Sequence, residues 1–180
     1  MEVGAKAALI GAGGIGFDVA EFLAQGDVPS PSLDPHHWMR EWGVDAKFDT
    51  AGSLVAAQPD ASARELWLLQ RSPGKPGKRL GKTTGWIHRA SLKAKAVTML
   101  GGVEYLGVDD SGLRISVDGQ TQTLPVDHVV ICAGQEPRRE LADQLAGSGI
   151  DIHIIGGADV AAELDAKRAI EQGTRVSLQL

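Results

Sequence analysis

A glycine-rich turn near the start of the chain constrains its fold more than any other feature. The apolar run Ala7–Ile10 is followed by the pattern G-x-G-x-x-G and then by apolar residues at helical spacing. This order predicts a strand, a tight turn and a helix. Gly11 would allow the sharp turn, Gly13 would let a pyrophosphate approach the backbone, and Gly16 would let the helix pack closely on the strand. The alternative is a glycine turn that holds no ligand.

The rest of the chain largely alternates strands and helices, which predicts an α/β fold of the Rossmann-like, three-layer kind. Between about 104 and 124 the apolar period changes to two, which predicts an inserted β-meander. The predicted helices cover about 14–24 (ended by Gln25–Gly26), 34–43, 83 or 84 to 95, 140–146 and 160–172 (ended by Gly173). The predicted strands cover about 6–10, 65–70, 97–100, 104–108, 112–117, 120–124, 127–132 and 151–155.

Three details of these elements can be checked against a structure. The strand over 127–132 is apolar from Val129 to Cys132. An apolar run of this kind predicts a place at the centre of a parallel sheet. The helix over 84–95 is predicted to turn a stripe of four residues inward: Ile87, Ala90, Ser91 and Ala94. His88 on the same helix is predicted to be structural or solvent-facing.

A short helix is predicted inside the unusual segment 27–63. Asp34 is a suitable N-cap, Pro35 suits the first helical position, and Gly43 suits the position after the last turn. Trp38 and Trp42 lie four residues apart and therefore share one face. They form either a local packing cluster or a lid that faces a partner domain or a substrate.

Composition and charge narrow the class of protein. The chain has 180 residues and a formal net charge of -5, which argues against general binding to nucleic acid or to anionic membranes. No apolar run approaches the length of a membrane span, and no secretory signal is present, so we expect a cytoplasmic protein. Cys132 is the single cysteine, which excludes an internal disulfide or a cysteine-bound cluster within this chain. No spacing of acidic or histidine residues indicates a metal site.

A run of basic residues follows the second predicted strand. NAD-specific folds carry an acid there, whereas this chain reads Gln70–Arg71 and has no acidic residue from Arg71 to Val103. An arginine at this position suits the 2′-phosphate of NADP. The alternative is a solvated basic loop. The strand lies further from the glycines than the usual fingerprint, which the inserted segment 27–63 would explain.

A second glycine turn follows the predicted strand at 151–155. Gly156, Gly157, Ala158 and Asp159 would offer backbone amides to a phosphate or a ribityl chain. Asp159 is alternatively a plain N-cap.

Several segments together resemble one family, the bacterial NADPH-dependent 2,4-dienoyl-CoA reductases. These enzymes are old-yellow-enzyme-related flavoproteins, a group that includes trimethylamine dehydrogenase. The segments cover most of the chain: Ile10–Ala20, Leu68–Arg71, Gly81–Arg89, Val129–Leu141 and Ile155–Gly173.

The resemblance implies a fragment of a larger enzyme. Residues 1–134 would be the NADP(H)-binding domain and 135–180 the C-terminal piece of an FAD-binding domain. The rest of that FAD domain, and a barrel that carries FMN and a 4Fe-4S cluster, would belong to the same polypeptide and be its partners. The implied cofactor-binding residues are Gly11, Gly13, Gly14, Ile15 and Gly16 for the pyrophosphate, Arg71 for the 2′-phosphate, Ala133 and Gly134 at the crossing between domains, and Gly156, Gly157, Ala158 and Asp159 for FAD.

The implied function is to pass hydride from NADPH to FAD for the reduction of unsaturated acyl-CoA in fatty acid metabolism. We expect the isolated chain to bind NADP(H) and not to reduce a dienoyl-CoA. No catalytic residue is assigned, because no acid–base or nucleophile arrangement is visible. The alternative is a stand-alone NADP-binding sensor or interaction domain without catalysis. A self-contained short-chain reductase is disfavoured, because Tyr105, the only tyrosine, is followed four residues later by Asp109 and not by lysine.

Overall fold

A computed structural model describes residues 2–25, 29–162 and 166–180 of the chain. The chain forms two compact units, Met1–Ala133 and Gly134–Leu180. The strands are β1 (Lys6–Ile10), β2 (Glu65–Leu69), β3 (Thr98–Leu100), β4 (Val103–Asp109), β5 (Gly112–Val117), β6 (Gln120–Leu124) and β7 (His128–Ile131). The helices are α1 (Gly14–Gln25), α2 (Pro35–Trp42), α3 (Gly85–Ala94), α4 (Glu140–Leu145) and α5 (Ala166–Ser177). Within the described residues, no helix is long and apolar enough to cross a membrane.

The first unit is built on a parallel sheet with the strand order β3-β2-β1-β7. Side chains alternate between its two faces. Ala7 and Leu9 of β1 face a core shared with α1 and α3, whereas Ala8 faces a second core shared with the antiparallel sheet β4-β5-β6. The two helices, the parallel sheet and the meander are therefore three layers. The predicted Rossmann-like α/β fold with an inserted meander is confirmed.

The place of β7 differs from the prediction. It pairs with β1 alone among the described strands, so it lies at the edge of the sheet, and Ile131 is 74% exposed. The apolar residues of β7 partly cover both faces of the strand, with Val130 toward one core and Val129 toward the other. Such a run does not specify how many strands pair with β7.

The inward stripe predicted for α3 is also wrong. Gly85 and Leu92 are the buried residues of this helix, whereas Ile87 is 37% exposed and Ala94 is exposed. Leu92 is the large side chain of this helix that is fully buried, whereas small residues such as Ala90 add little to a core. His88 lies beside Glu21 of α1, with Nδ1 3.0 Å from the carboxylate oxygen, which is a structural contact between the two helices.

The predicted caps of α2 are present. The carboxylate of Asp34 accepts a hydrogen bond from the His36 amide at 2.9 Å, and Gly43 ends the helix with φ of 70°. The rings of Trp38 and Trp42 lie 6.4 Å apart at their centroids. Glu41 of this helix pairs with Lys95, just after α3, at 3.3 Å, and both side chains are largely buried. This ion pair links α2 to the end of α3 within the first unit.

The second unit departs from the prediction in two places. Residues 151–155 form no strand, because no neighbouring strand pairs with them among the described residues. Helix α5 continues to Ser177, past the predicted stop at Gly173, since one glycine inside a helix costs only about 1 kcal/mol. The first residues predicted for this helix include 163–165, which lie outside the described residues. The predicted stop of α1 at Gly26 also lies outside them.

Candidate nucleotide-binding site

The glycine turn after β1 is shaped by two close backbone approaches. Gly11 has φ of 115°, and a Cβ there would lie 2.6 Å from the Cys132 carbonyl oxygen. A Cβ on Gly16 would lie 1.7 Å from the carbonyl oxygen of Gly11. Both positions therefore require glycine: one for the turn and its approach to the end of β7, and the other for the close packing of α1 on β1.

Gly13 and Gly14 have a different environment. A Cβ on either residue would meet no atom within 4 Å, so open space adjoins the backbone at both positions. The Phe17 amide donates to the Gly13 carbonyl at 3.1 Å, while the amides of the first helical residues have no partner within the helix. The first turn of α1 carries no acidic residue. This arrangement can receive an anion at the positive end of the helix.

The turn lies where the order of the strands reverses. The chain proceeds outward from β1 to β2 and β3, and it returns to the other side of β1 as β7. The Gly11 amide donates to the Leu69 carbonyl at 2.8 Å, and the Cys132 amide donates to the Ile10 carbonyl at 2.8 Å. Open parallel sheets bind ligands at such a switch point, beyond the carboxyl ends of the strands.

The loop after β2 is folded back over the end of β3. The side-chain amide of Gln70 donates to the carbonyls of Ser72 at 3.0 Å and Gly74 at 3.3 Å, and the Gly102 amide donates to Ser72 at 2.9 Å. Arg71 starts this loop at the carboxyl edge of the sheet, and its side chain is exposed. The guanidinium of Arg71 is therefore accessible to a ligand at this edge of the sheet.

Tyr105 of β4 is a neighbour of Arg71 that the sequence does not indicate. Burial raises the pKa of its hydroxyl, and the positive charge of Arg71 opposes that rise. The hydroxyl oxygen is buried and has no hydrogen-bond partner within the described part of the chain. No local pattern could have paired these residues, because they meet only through the packing of the meander on the parallel sheet.

The second glycine turn holds itself together. Gln172 of α5 accepts from the Gly156 amide at 2.7 Å and donates to the Asp159 carboxylate at 2.8 Å. Arg139 also donates to the carbonyls of Ala158 and Asp159. The amide of Gly156 therefore already has a hydrogen-bond partner inside the turn. Gly157 and Ala158 remain as the backbone positions predicted to contact a ligand.

The remaining predicted site residues, Ala133 and Gly134, follow β7, and a Cβ on Gly11 would lie 3.0 Å from the Ala133 backbone nitrogen. Ala133 ends the first unit and Gly134, with φ of 84°, begins the second. Cys132 is half-buried, and burial raises the pKa of its thiol. Within residues 2–25, 29–162 and 166–180, no group of three or more histidine, cysteine or acidic side chains is placed to hold a metal ion.

The fold and the switch-point turn define an α/β domain of the Rossmann type. Among known proteins, no family model matches the chain. A curated metal reductase from Desulforamulus reducens is 23% identical over 158 residues, which cover 87% of this chain and 22% of that protein.

Two solved structures share the fold over nearly the whole chain. A 2-naphthoyl-CoA reductase in complex with 2-naphthoyl-CoA matches with a TM-score of 0.67 and 18% identity, over 100% of this chain and 22% of that one. Histamine dehydrogenase from Rhizobium sp. 4-9 matches with a TM-score of 0.64 and 14% identity, over 99% of this chain and 23% of that one. At these identities the likeness shows the fold, and the chain spans less than a quarter of the length of either protein.

Proposed function

We propose that this chain is the NADPH-binding part of a flavin-dependent oxidoreductase. The observation that carries the proposal is the glycine turn at the switch point, where Gly11 and Gly16 are held by backbone contacts and open space adjoins Gly13. The three similar proteins described above are a metal reductase, a CoA-ester reductase and a dehydrogenase, so a redox function agrees with all of them.

The residues of the chain fit the cofactor as follows. The backbone of the turn at Gly11, Gly13, Gly14, Ile15 and Gly16 would hold the pyrophosphate, and Arg71 would hold the 2′-phosphate by charge and by its forked donors. When bound, NADPH supplies a hydride; the chain supplies position and charge. No side chain is assigned a proton-transfer role.

The finer proposal is that the parent enzyme reduces 2,4-dienoyl-CoA. It is supported by the segments Gly81–Arg89 and Val129–Leu141, which resemble that family. In this proposal the second glycine turn, Gly156 to Asp159, would contact FAD through its backbone at Gly157 and Ala158. The remaining FAD domain, the FMN barrel and its 4Fe-4S cluster would lie elsewhere in the same polypeptide.

The test is titration calorimetry of the chain with NADP and NAD, repeated with Arg71→Ala. We expect tighter binding of NADP than of NAD in the wild type. Loss of a charge-assisted phosphate contact worth about 1.5–3 kcal/mol should weaken NADP binding by roughly 10- to 100-fold and leave NAD binding unchanged. Lys82→Ala is the matched control, because Lys82 is an exposed cation in the same basic run.

Two results would overturn the proposal. Equal affinity of the wild type for NADP and NAD would show that Arg71 does not bind the 2′-phosphate. No saturable heat with either dinucleotide, from a chain whose circular dichroism shows a folded state, would remove the glycine turn as a nucleotide site in this chain.

A further inference from the structure

A concave surface lies on the helix side of the first unit, at the β3 edge of the sheet. It is a cleft of about 370 Å³ between the loop after β2, helix α3 and strand β3. We call it the α3 cleft. Its lining includes Lys75, Trp86, Arg89, Lys93 and Met99. Neither the glycine turn nor Arg71 contributes to it.

The α3 cleft carries an uncompensated positive charge. Lys75, Arg89 and Lys93 are all cations, and the stretch from Arg71 to Val103 contains no acidic residue. Within the described part of the chain, none of these three side chains forms an ion pair. The protein as a whole has a formal charge of -5, so this local excess of cations is not a general property of its surface.

Two of the lining side chains are fixed by the backbone. The Trp86 indole N–H donates to the Thr83 carbonyl at 3.0 Å, although the residue is 57% exposed. Arg89 donates to the Gly77 carbonyl at 2.9 Å. With Lys93 they occupy positions i, i+3 and i+7 of α3, which share one face of a helix. The cleft therefore presents an oriented aromatic ring beside oriented positive charge.

This combination selects a class of ligand. An exposed indole ring suits stacking against a nucleobase, and guanidinium and ammonium groups suit a phosphate. The volume lies at the small end of the range for ligand pockets, about 300–1,000 Å³, which suits a mononucleotide and not a whole dinucleotide. We propose that the α3 cleft binds an adenosine that carries a phosphate on its ribose.

Such a group has two possible sources. One is the 2′-phosphate end of NADPH, which would then lie in this cleft and not on Arg71, and the other is the 3′-phosphate end of an acyl-CoA. The shared chemistry is a phosphomonoester on the ribose of adenosine. The probes are accordingly adenosine 2′,5′-bisphosphate and adenosine 3′,5′-bisphosphate, with plain adenosine as the ligand that lacks phosphate.

The experiment is calorimetry of the full chain with both probes, for the wild type and two variants. Trp86→Leu removes the ring, and the double variant Lys75→Gln/Lys93→Gln removes two charges while keeping Arg89 on Gly77. We expect each variant to weaken binding of the preferred bisphosphate at least tenfold. The controls Trp38→Leu and Lys82→Gln change an exposed tryptophan and an exposed lysine outside the cleft and should leave the affinity within twofold.

The proposal is overturned if neither bisphosphate binds the wild type with saturable heat. It is also overturned if binding is unchanged in both variants, or if plain adenosine binds as tightly as the bisphosphates. The circular dichroism spectrum of each variant is compared with that of the wild type, to check that a loss of affinity is not caused by unfolding.

Competition with NADP identifies the source. Displacement of a preferred 2′,5′-bisphosphate by NADP assigns the cleft to the dinucleotide, and retention of a preferred 3′,5′-bisphosphate in saturating NADP assigns it to a second ligand. The proposed function fails separately, through the absence of NADP binding to the wild type.

Discussion

In the first unit both faces of the parallel sheet are covered, and side chains from all three layers, such as Leu9, Leu92 and Ile115, are fully buried. In the second unit, within residues 134–162 and 166–180, only Gly156 and Ala161 are buried. Ile150, Ile170 and Leu178 are more than 60% exposed there. The two units have comparably apolar sequences in their predicted strands, so the difference lies in the partners available to each segment.

The difference shows that an apolar run becomes a strand only where another strand can accept its hydrogen bonds. Residues 6–10 and 65–69 pair residue by residue, from Lys6 with Glu65 to Ile10 with Leu69. Residues 151–155 contain three apolar residues of five, against four of five in each of those strands, and have no ladder among the described residues. We therefore expect the stability of the chain to reside in its first unit.

The largest effect is expected from Gly16→Val. The added Cβ would overlap the Gly11 carbonyl, since the two atoms would be 1.7 Å apart, and α1 would have to move away from β1. We expect a loss of at least about 4 kcal/mol in the free energy of unfolding, measured by urea denaturation.

Gly13→Ala is the control for that change. Its Cβ would point into open space, so the stability should change by less than about 0.5 kcal/mol. Similar losses from both substitutions would show that the close approach of α1 to β1 is not a source of the stability of the first unit.

A matched pair of truncations compares the two units directly. Leu92 of α3 is fully buried, so Leu92→Ala should cost about 2–5 kcal/mol. Ile170 of α5 is 68% exposed, so Ile170→Ala should change the free energy of unfolding by less than about 0.5 kcal/mol. Urea denaturation followed by circular dichroism measures both. A comparable loss at Ile170 would mean that α5 buries this face in solution, and the contrast between the units would disappear.

The smallest effect concerns the polar contacts of the second unit. Gln172 joins the Gly156 amide to the Asp159 carboxylate, so Gln172→Ala removes both hydrogen bonds. We expect a local loss of about 1 kcal/mol, seen as faster hydrogen exchange at the Gly156 amide with little change in the unfolding of the first unit. Gln179→Ala, near the exposed end of the chain, is the control. Unchanged exchange at Gly156 would show that Gln172 does not hold this turn.

The sequence predicts the first unit well for a physical reason. The glycine spacing and the caps at Asp34 and Gly43 are local signals, and each is found where the pattern places it. The glycine turn of the candidate site is likewise local. Its roles in the turn and in helix packing agree with the geometry, while its contact with a nucleotide stays a prediction.

The remaining features depend on contacts between distant segments. The edge position of β7 follows from the number of strands in the sheet, which no single strand encodes. The proximity of Tyr105 to Arg71 follows from the packing of the meander, and the α3 cleft follows from the packing of a loop on a helix. None of these has a signature in local spacing.

The central place of β1 has a consequence for the order of events during synthesis. Of the four strands in this sheet β1 is made first, yet its partners are β2 and, much later, β7, where Ala7 pairs with His128. At ordinary elongation rates the second neighbour follows on the order of ten seconds after β1. During that interval one edge of β1 has no strand beside it, so the nascent chain has an open sheet edge until the meander has been made and β7 emerges.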